Sequence, residues 1–234
     1  PTRGTRPVTG SRNKRHTAAA DETGRGSGSV TNTPRRWVLA SGNSGKLSEI
    51  QALLAPSSIE VLPQSEFGVE SIEETSTTFV ENALLKARHV AAATSLPTIA
   101  DDSGLVVDAL AGAPGINSAR FAGPDNQDYD NVTKLLALLE DVADEKRSAQ
   151  FYCVIVALVA PQNPFPLIGS GIWPGLITRK PRGKLGFGYD PVFFDPELKA
   201  TAAELPSEVK NRVSHRGRAL SEIQFALATL PRKP

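Results

Sequence analysis

The run Ser41-Gly42-Asn43-Ser44-Gly45-Lys46 combines two glycines, three small polar residues and a lysine. Glycines let a backbone approach a ligand closely. A helix that starts here would point unpaired N–H groups at an anion, and Lys46 adds a full positive charge. The run therefore suits a triphosphate; a plain strand–helix turn is the alternative. It is not a Walker A loop, because the glycine spacing differs and Leu47 stands where Ser or Thr would follow the lysine.

A second candidate is Ile99-Ala100-Asp101-Asp102-Ser103-Gly104. Two adjacent carboxylates at the end of an apolar strand are costly to bury unless a cation pairs with them. Successive strand side chains face opposite ways, so only one of the two enters a given site. A hard cation such as Mg²⁺ would satisfy it; a turn with both carboxylates solvated is the other reading. Glu73-Glu74-Thr75 and Glu81-Asn82 supply further acids. One would have to meet Asp102 across a metal, or else they only complement the dipole of the helix that follows.

Gly186-Phe187-Gly188-Tyr189-Asp190-Pro191 sets an aromatic between glycines. That exposes a ring face, on which a nucleobase can stack for about 1–3 kcal/mol; a Phe covering the core edge is the alternative. Lys210 precedes Ser214-His215-Arg216-Gly217. Ser214 suits the N-cap of a last helix, and basic groups just inside it oppose the helix dipole. An anionic or acceptor-rich ligand would explain them; solvated surface is the other reading.

These stretches need elements to hold them. Residues 37–40 read as a buried strand that stops at Ser41-Gly42. Asn43 or Ser44 then caps a helix carrying Leu47, Ile50, Leu53 and Leu54, which Pro56 ends. Residues 59–62 form a second strand and residues 77–93 a long helix with Thr77 or Thr78 as cap. Residues 97–100 and 105–110 read as two strands on either side of Asp101-Asp102-Ser103-Gly104. A helix over 127–139, strands over 150–159 and 166–178, a short strand at 192–194 and a helix over 214–230 complete the chain. Strands and helices alternate early and strands cluster late, which predicts an α/β fold with a mixed β-sheet flanked by helices.

The 234 residues allow one large domain or two small ones, and 40% hydrophobic with 22% charged residues is ordinary globular composition. No run approaches the about 18 apolar residues of a membrane helix. The one cysteine, Cys153, cannot form an internal disulfide, which suits a reducing, cytoplasmic setting. Residues 1–36 hold eight Lys and Arg against Asp21 and Glu22, so the rest of the chain is mildly acidic. That balance argues against a nucleic-acid partner. Residues 1–33 are expected to be a disordered basic tail, with the folded domain over 34–234.

Taken in order, SGNSGK, EET with TTFVENALLKA, ADDSGLVVDAL with GAPGINSARFAG, GFGYDPVFF and SHRGRAL resemble the inosine/xanthosine triphosphate pyrophosphatase family over residues 37–230. The resemblance implies an elongated protein of two lobes with a central substrate cleft, usually a homodimer. It implies cleavage of non-standard purine triphosphates (dITP, ITP, XTP) between the α- and β-phosphates, giving nucleoside monophosphate and pyrophosphate, with Mg²⁺ as cofactor. Ser41, Gly42, Asn43, Ser44, Gly45 and Lys46 would hold phosphates. Asp102 would be proton acceptor and metal ligand, and Glu73 a second metal position that Glu74 contests. Ser103 would touch substrate, Phe187, Gly188, Tyr189 and Asp190 would enclose the base, and Lys210, His215 and Arg216 would complete the pocket. Competing readings are a Maf-like nucleotide pyrophosphatase of other base preference, a catalytically idle nucleotide binder, and a nucleic-acid binder acting through the tail.

Overall fold

A computed structural model describes residues 34–124 and 127–230; the tail expected at residues 1–33 lies outside them. Among the described residues, seven strands make one mixed sheet: β1 (Arg35–Leu39), β2 (Ile59–Pro63), β3 (Thr98–Val107), β4 (Ser148–Leu158), β5 (Leu167–Ile177), β6 (Phe193–Asp195) and β7 (Ala200–Thr201). Their spatial order is β2-β1-β3-β4-β5-β6-β7. β1 runs parallel to both neighbours, and every later pairing is antiparallel. The helices are α1 (Ser44–Leu54), α2 (Phe79–Thr94), α3 (Asp128–Leu138), α4 (Ser207–Val213) and α5 (His215–Thr229). Among the described residues, no helix is long and apolar enough to cross a membrane.

β1 is buried on both faces. Trp37 and Leu39 join a core with Ile50 and Leu54 of α1 and Leu220 and Ile223 of α5, while Val38 and Ala40 pack with Ala83, Ala87 and Val90 of α2. Hence α1 and α5 cover one face of this end of the sheet and α2 the other. A third cluster fills the opposite end, where Leu105, Phe151, Trp173 and Phe193 meet Val132 and Leu135 of α3. The long strands β3, β4 and β5 run through both ends. The three clusters lie along one mixed sheet flanked by helices, the α/β architecture anticipated above.

β3 departs from the reading of two strands around a turn. It is continuous, with Asp101 opposite Ile155, Asp102 opposite Val154 and Gly104 opposite Tyr152. Two carboxylates persist in a central strand because cations from three helices reach them, as described below. Gly104 is required there by a close crossing: a Cβ would lie 2.2 Å from the Gly115 carbonyl oxygen. The short helix α4 was not anticipated either.

The packing of α5 depends on a missing side chain as well. In β5 a Cβ on Gly171 would lie 2.1 Å from the backbone oxygen of His215. The first turn of α5 therefore rests directly on the strand. Gly171→Ala is expected to lift that turn and destabilise the protein by about 1–3 kcal/mol, as overpacking does. Urea unfolding followed by circular dichroism measures it, and an unchanged midpoint would show that the contact yields without strain.

Candidate active site

β1 ends and α1 begins within residues 40–44, so the helix N-terminus opens onto the cleft. Asn43 is the cap, its Oδ1 accepting a bond from Lys46 N at 2.9 Å, and Asn43 N donates to Ser41 Oγ at 3.1 Å. The N–H groups of the first turn have no partners within the helix. The Lys46 ammonium lies 2.9 Å from Asp101 Oδ1.

Asp101 and Asp102 point to opposite faces, as the strand period demands. Asp101 is wholly buried and turns toward α5. Its Oδ2 accepts from Arg216 Nε at 3.0 Å, Arg216 Nη2 at 2.8 Å and Ser103 Oγ at 3.1 Å. Burial alone would raise its pKa, but Arg216, Lys46 and Lys86 together hold it far below the ordinary aspartate range. Asp102 turns toward α2, where Lys86 Nζ donates to its Oδ1 at 3.0 Å. The same ammonium donates to Glu74 Oε1 at 2.6 Å. Burial raises the Asp102 pKa; Lys86 opposes that shift, and the nearby charge of Glu74 adds to it. Asp102 Oδ2 is buried and has no hydrogen-bond partner.

The other wall is aromatic. The His215 ring stacks on Phe151 with centroids 4.6 Å apart and planes at 15°. Burial first, then the charges of Arg216 and Lys210, push its pKa well below the usual value, so the imidazole is neutral at pH 7. Its Nδ1 has no hydrogen-bond partner. Phe187 is packed against the phosphate-loop candidate itself: a Cβ on Gly45 would lie 2.4 Å from its Cδ1. Lys210 Nζ stands 4.9 Å from the centre of that ring. The loop is held from beneath by Asp190, which accepts from Phe187 N at 2.9 Å and pairs with Lys210. Gly186 at φ +75° has no room for a Cβ, which would meet Asp190 Oδ2. Tyr189 is buried and donates to the Ser118 carbonyl at 2.8 Å, and Gly188 N donates to Asp128 Oδ2 at 2.7 Å.

Three cavities adjoin these residues: one of about 600 Å³ is lined by Ser44, Gly45, Glu49, Phe187 and Lys210 among others, and two are smaller. One of about 190 Å³ is lined by Phe151, Phe187, Tyr189, His215, Arg216 and Ser103 among others. One of about 180 Å³ is lined by Ser41, Gly42, Glu74 and Lys86 among others. Asn43, Lys46 and Ala119 line both of the smaller ones. The stretches singled out in the sequence thus reach this cleft, except Glu73 and the pair Glu81-Asn82, whose side chains are bonded to Thr78 and Ser76 instead. Glu74 shares Lys86 with Asp102 and also meets Arg120 at 3.4 Å. Of the two residues in contention for the second metal position, Glu73 is exposed and does not line the cleft, whereas the Glu74 carboxylate turns inward. Asp102 and Glu74 supply hard oxygen donors, and the unpartnered Asp102 Oδ2 fits a ligand to a hard divalent cation.

Three participants went unassigned in the sequence. Lys86 had a signal: it lies in the stripe of α2 that buries Ala83, Ala87 and Val90, where a lysine is out of place. Glu49 pairs with both Lys210 (2.8 Å) and Arg216. Asp101 reads in the sequence like any acid beside Asp102. Nothing local marks either of these two.

A mixed α/β sheet with a helix N-terminus, inward lysines and an aromatic shelf along one cleft defines a protein that receives a polyanion carrying a flat ring. The model of the Ham1 family matches residues 37–225, and the chain belongs to that family. A dITP/XTP pyrophosphatase of Yersinia pseudotuberculosis is 57% identical over 193 residues, covering 82% of this chain and 98% of the relative. That of Escherichia coli K12 is 54% identical over the same span and coverage. Among solved structures, a HAM1 protein from Coxiella burnetii superposes with a TM-score of 0.76 at 50% identity, covering 84% of this chain and all of that one. A dITP/XTP pyrophosphatase from Mycobacterium abscessus gives 0.64 at 41% identity, over 82% of this chain and 99% of that one.

Removing Asp101 would leave Lys46 without its carboxylate partner and the buried Arg216 with Glu49 alone. Asp101→Ala is expected to cost about 3–5 kcal/mol at pH 7. The sign with pH follows from a depressed native pKa: the stabilisation is complete above the unfolded value and fades as pH falls below it. Urea midpoints at pH 7 and pH 5 should therefore show the same deficit, and a deficit that shrinks already at pH 5 would refute the assignment.

Proposed function

We propose that this protein hydrolyses non-standard purine nucleoside triphosphates (dITP, ITP and XTP) to monophosphate and pyrophosphate, with residues 34–234 as the pyrophosphatase domain. The observation that carries the reading is the join between the two smaller cavities. A base on the Phe187 and His215 side and a triphosphate on the Glu74 and Lys86 side would be one ligand lying across Asn43 and Lys46. Relatives named dITP/XTP pyrophosphatase point to the same substrates.

The roles follow from position. Residues 41–46 and the first turn of α1 bind phosphate oxygens through N–H groups and Lys46. The Asp102 carboxylate is the proton acceptor: a water beside it attacks the α-phosphorus, its proton passes to the carboxylate, and the bond to the bridging oxygen of the β-phosphate breaks. Glu74 and Asp102 would hold Mg²⁺, which when bound neutralises charge gathering on the departing pyrophosphate. Ser103 and Lys210 orient the nucleotide, and the Phe187 ring stacks on the base while Gly188, Tyr189 and Asp190 set its angle.

Arg216 uses four of its five N–H donors on Asp101, Glu49 and Ser103, leaving one for a ligand. A donor there, with the neutral His215 beside it, matches the 6-oxo group of hypoxanthine or xanthine and mismatches the 6-amino group of adenine. Magnesium as the metal, a homodimer as the assembly and the cytoplasm as the compartment belong to the same proposal.

Incubation with dITP, XTP, dATP and dGTP, with and without Mg²⁺, tests the reaction. Magnesium-dependent pyrophosphate release from dITP and XTP, far above the ordinary nucleotides, is expected. Release of orthophosphate would mean that another bond is cut, and no release would favour an idle nucleotide binder. Asp102→Asn should lower kcat by about 10²–10⁴-fold with the fold intact; ordinary turnover by that variant would remove Asp102 from its role.

A further inference from the structure

The Lys86 side chain is only 12% exposed, yet its ammonium lines the phosphate-side cavity while touching Glu74 at 2.6 Å and Asp102 at 3.0 Å. An ammonium that bridges two carboxylates supplies the neutralising charge a divalent cation would supply, in the same place. Among the described residues, no group of three or more His, Cys, Asp and Glu could hold a metal ion. Two carboxylates alone bind magnesium-like ions poorly, and such ions take their remaining ligands from water and substrate phosphates. A metal approaching this pair would meet a like charge already seated between its ligands, and each carboxylate it gains is one that Lys86 loses.

We propose that Lys86 is the resident cation of the Glu74–Asp102 pair, and that a divalent metal displaces it only when a triphosphate arrives to receive both. The inference rests on the reading of those two carboxylates as metal ligands. A triphosphate reverses the balance, because its oxygens complete the metal's coordination and accept the three donors of the freed ammonium. Metal and nucleotide then bind with positive cooperativity, and the nucleotide-free protein holds metal weakly. Lys86 is in this sense a positioning residue. It holds two neighbouring carboxylates in place before the ligand comes, and the phosphate chain takes it over afterwards.

The test is a titration of the full chain with Mn²⁺, free ion being counted by electron paramagnetic resonance, without nucleotide. Lys86→Met keeps the apolar stem and drops the charge; it should bind Mn²⁺ more tightly than the unmodified protein by about tenfold or more. Lys86→Gln carries the same expectation should the methionine variant fail to fold. Adding Asp102→Asn to either variant should abolish the gain. Addition of α,β-methylene-dITP should tighten Mn²⁺ binding by the unmodified protein more than by Lys86→Met. Equal or weaker Mn²⁺ binding by folded Lys86 variants would overturn the proposal, as would a gain that survives Asp102→Asn. None of these readouts is turnover. A protein that shows the gain but releases no pyrophosphate from dITP would fail the functional reading and keep this one, and the converse result would do the reverse.

Discussion

The rest of the structure depends on a carboxylate in the middle of a sheet. Asp101 is wholly buried between hydrogen-bonded strands, where an isolated charge is not tolerated. It stays ionised because Lys46 arrives from α1 and Arg216 from α5. Both helices are thereby pinned at their first turns, the ends that face the cleft. Arg216 in turn holds Glu49, and Glu49 holds Lys210 on α4. One buried charge thus fixes the orientation of three helices, and the residues so fixed form the cationic wall of the site. Cys153, 3.6 Å from the same carboxylate, shares this environment. Burial and then the Asp101 charge push its thiol pKa up, so it is inert packing and not a nucleophile.

The opposite face of β3 works by another balance. Asp102 and Glu74 repel each other and are reconciled by a single ammonium. Adjacent residues of one strand therefore have separate duties, Asp101 in architecture and Asp102 in the chemistry proposed here. The alternation of the strand turns the two side chains to opposite faces.

Much of this was legible in the sequence. β1, α1 with Asn43 as cap, α2 and α5 with Ser214 as cap stand close to where apolar spacing and capping residues place them. The motifs from residues 41–46 to Arg216 converge on one cleft. What could not be read depends on contacts distant in the chain. Asp101-Asp102-Ser103-Gly104 has the composition of a turn, and only the cations of other elements make it strand. Glu73 and Glu74 are equivalent as letters, and the choice between them is made by Lys86, 12 residues further on. Glu49 reads as an ordinary acid on an exposed helix face until α4 and α5 are folded against it. α4 is too short for periodicity to announce it.

The contact between Phe187 and Gly45 has a consequence for how the two halves of the cleft communicate. The ring lies against the first helical turn with no side chain between them. Whatever rests on the ring and whatever rests at the helix N-terminus press on a shared surface. A group that shifts this surface at one place would change affinity at the other, and such a linkage is mutual by thermodynamic necessity. The two fragments of a ligand, supplied separately, would not bind with the sum of their free energies. A flat group that seats badly would loosen the grip on the anion beyond it, so that selection by shape at one end is felt as affinity at the other.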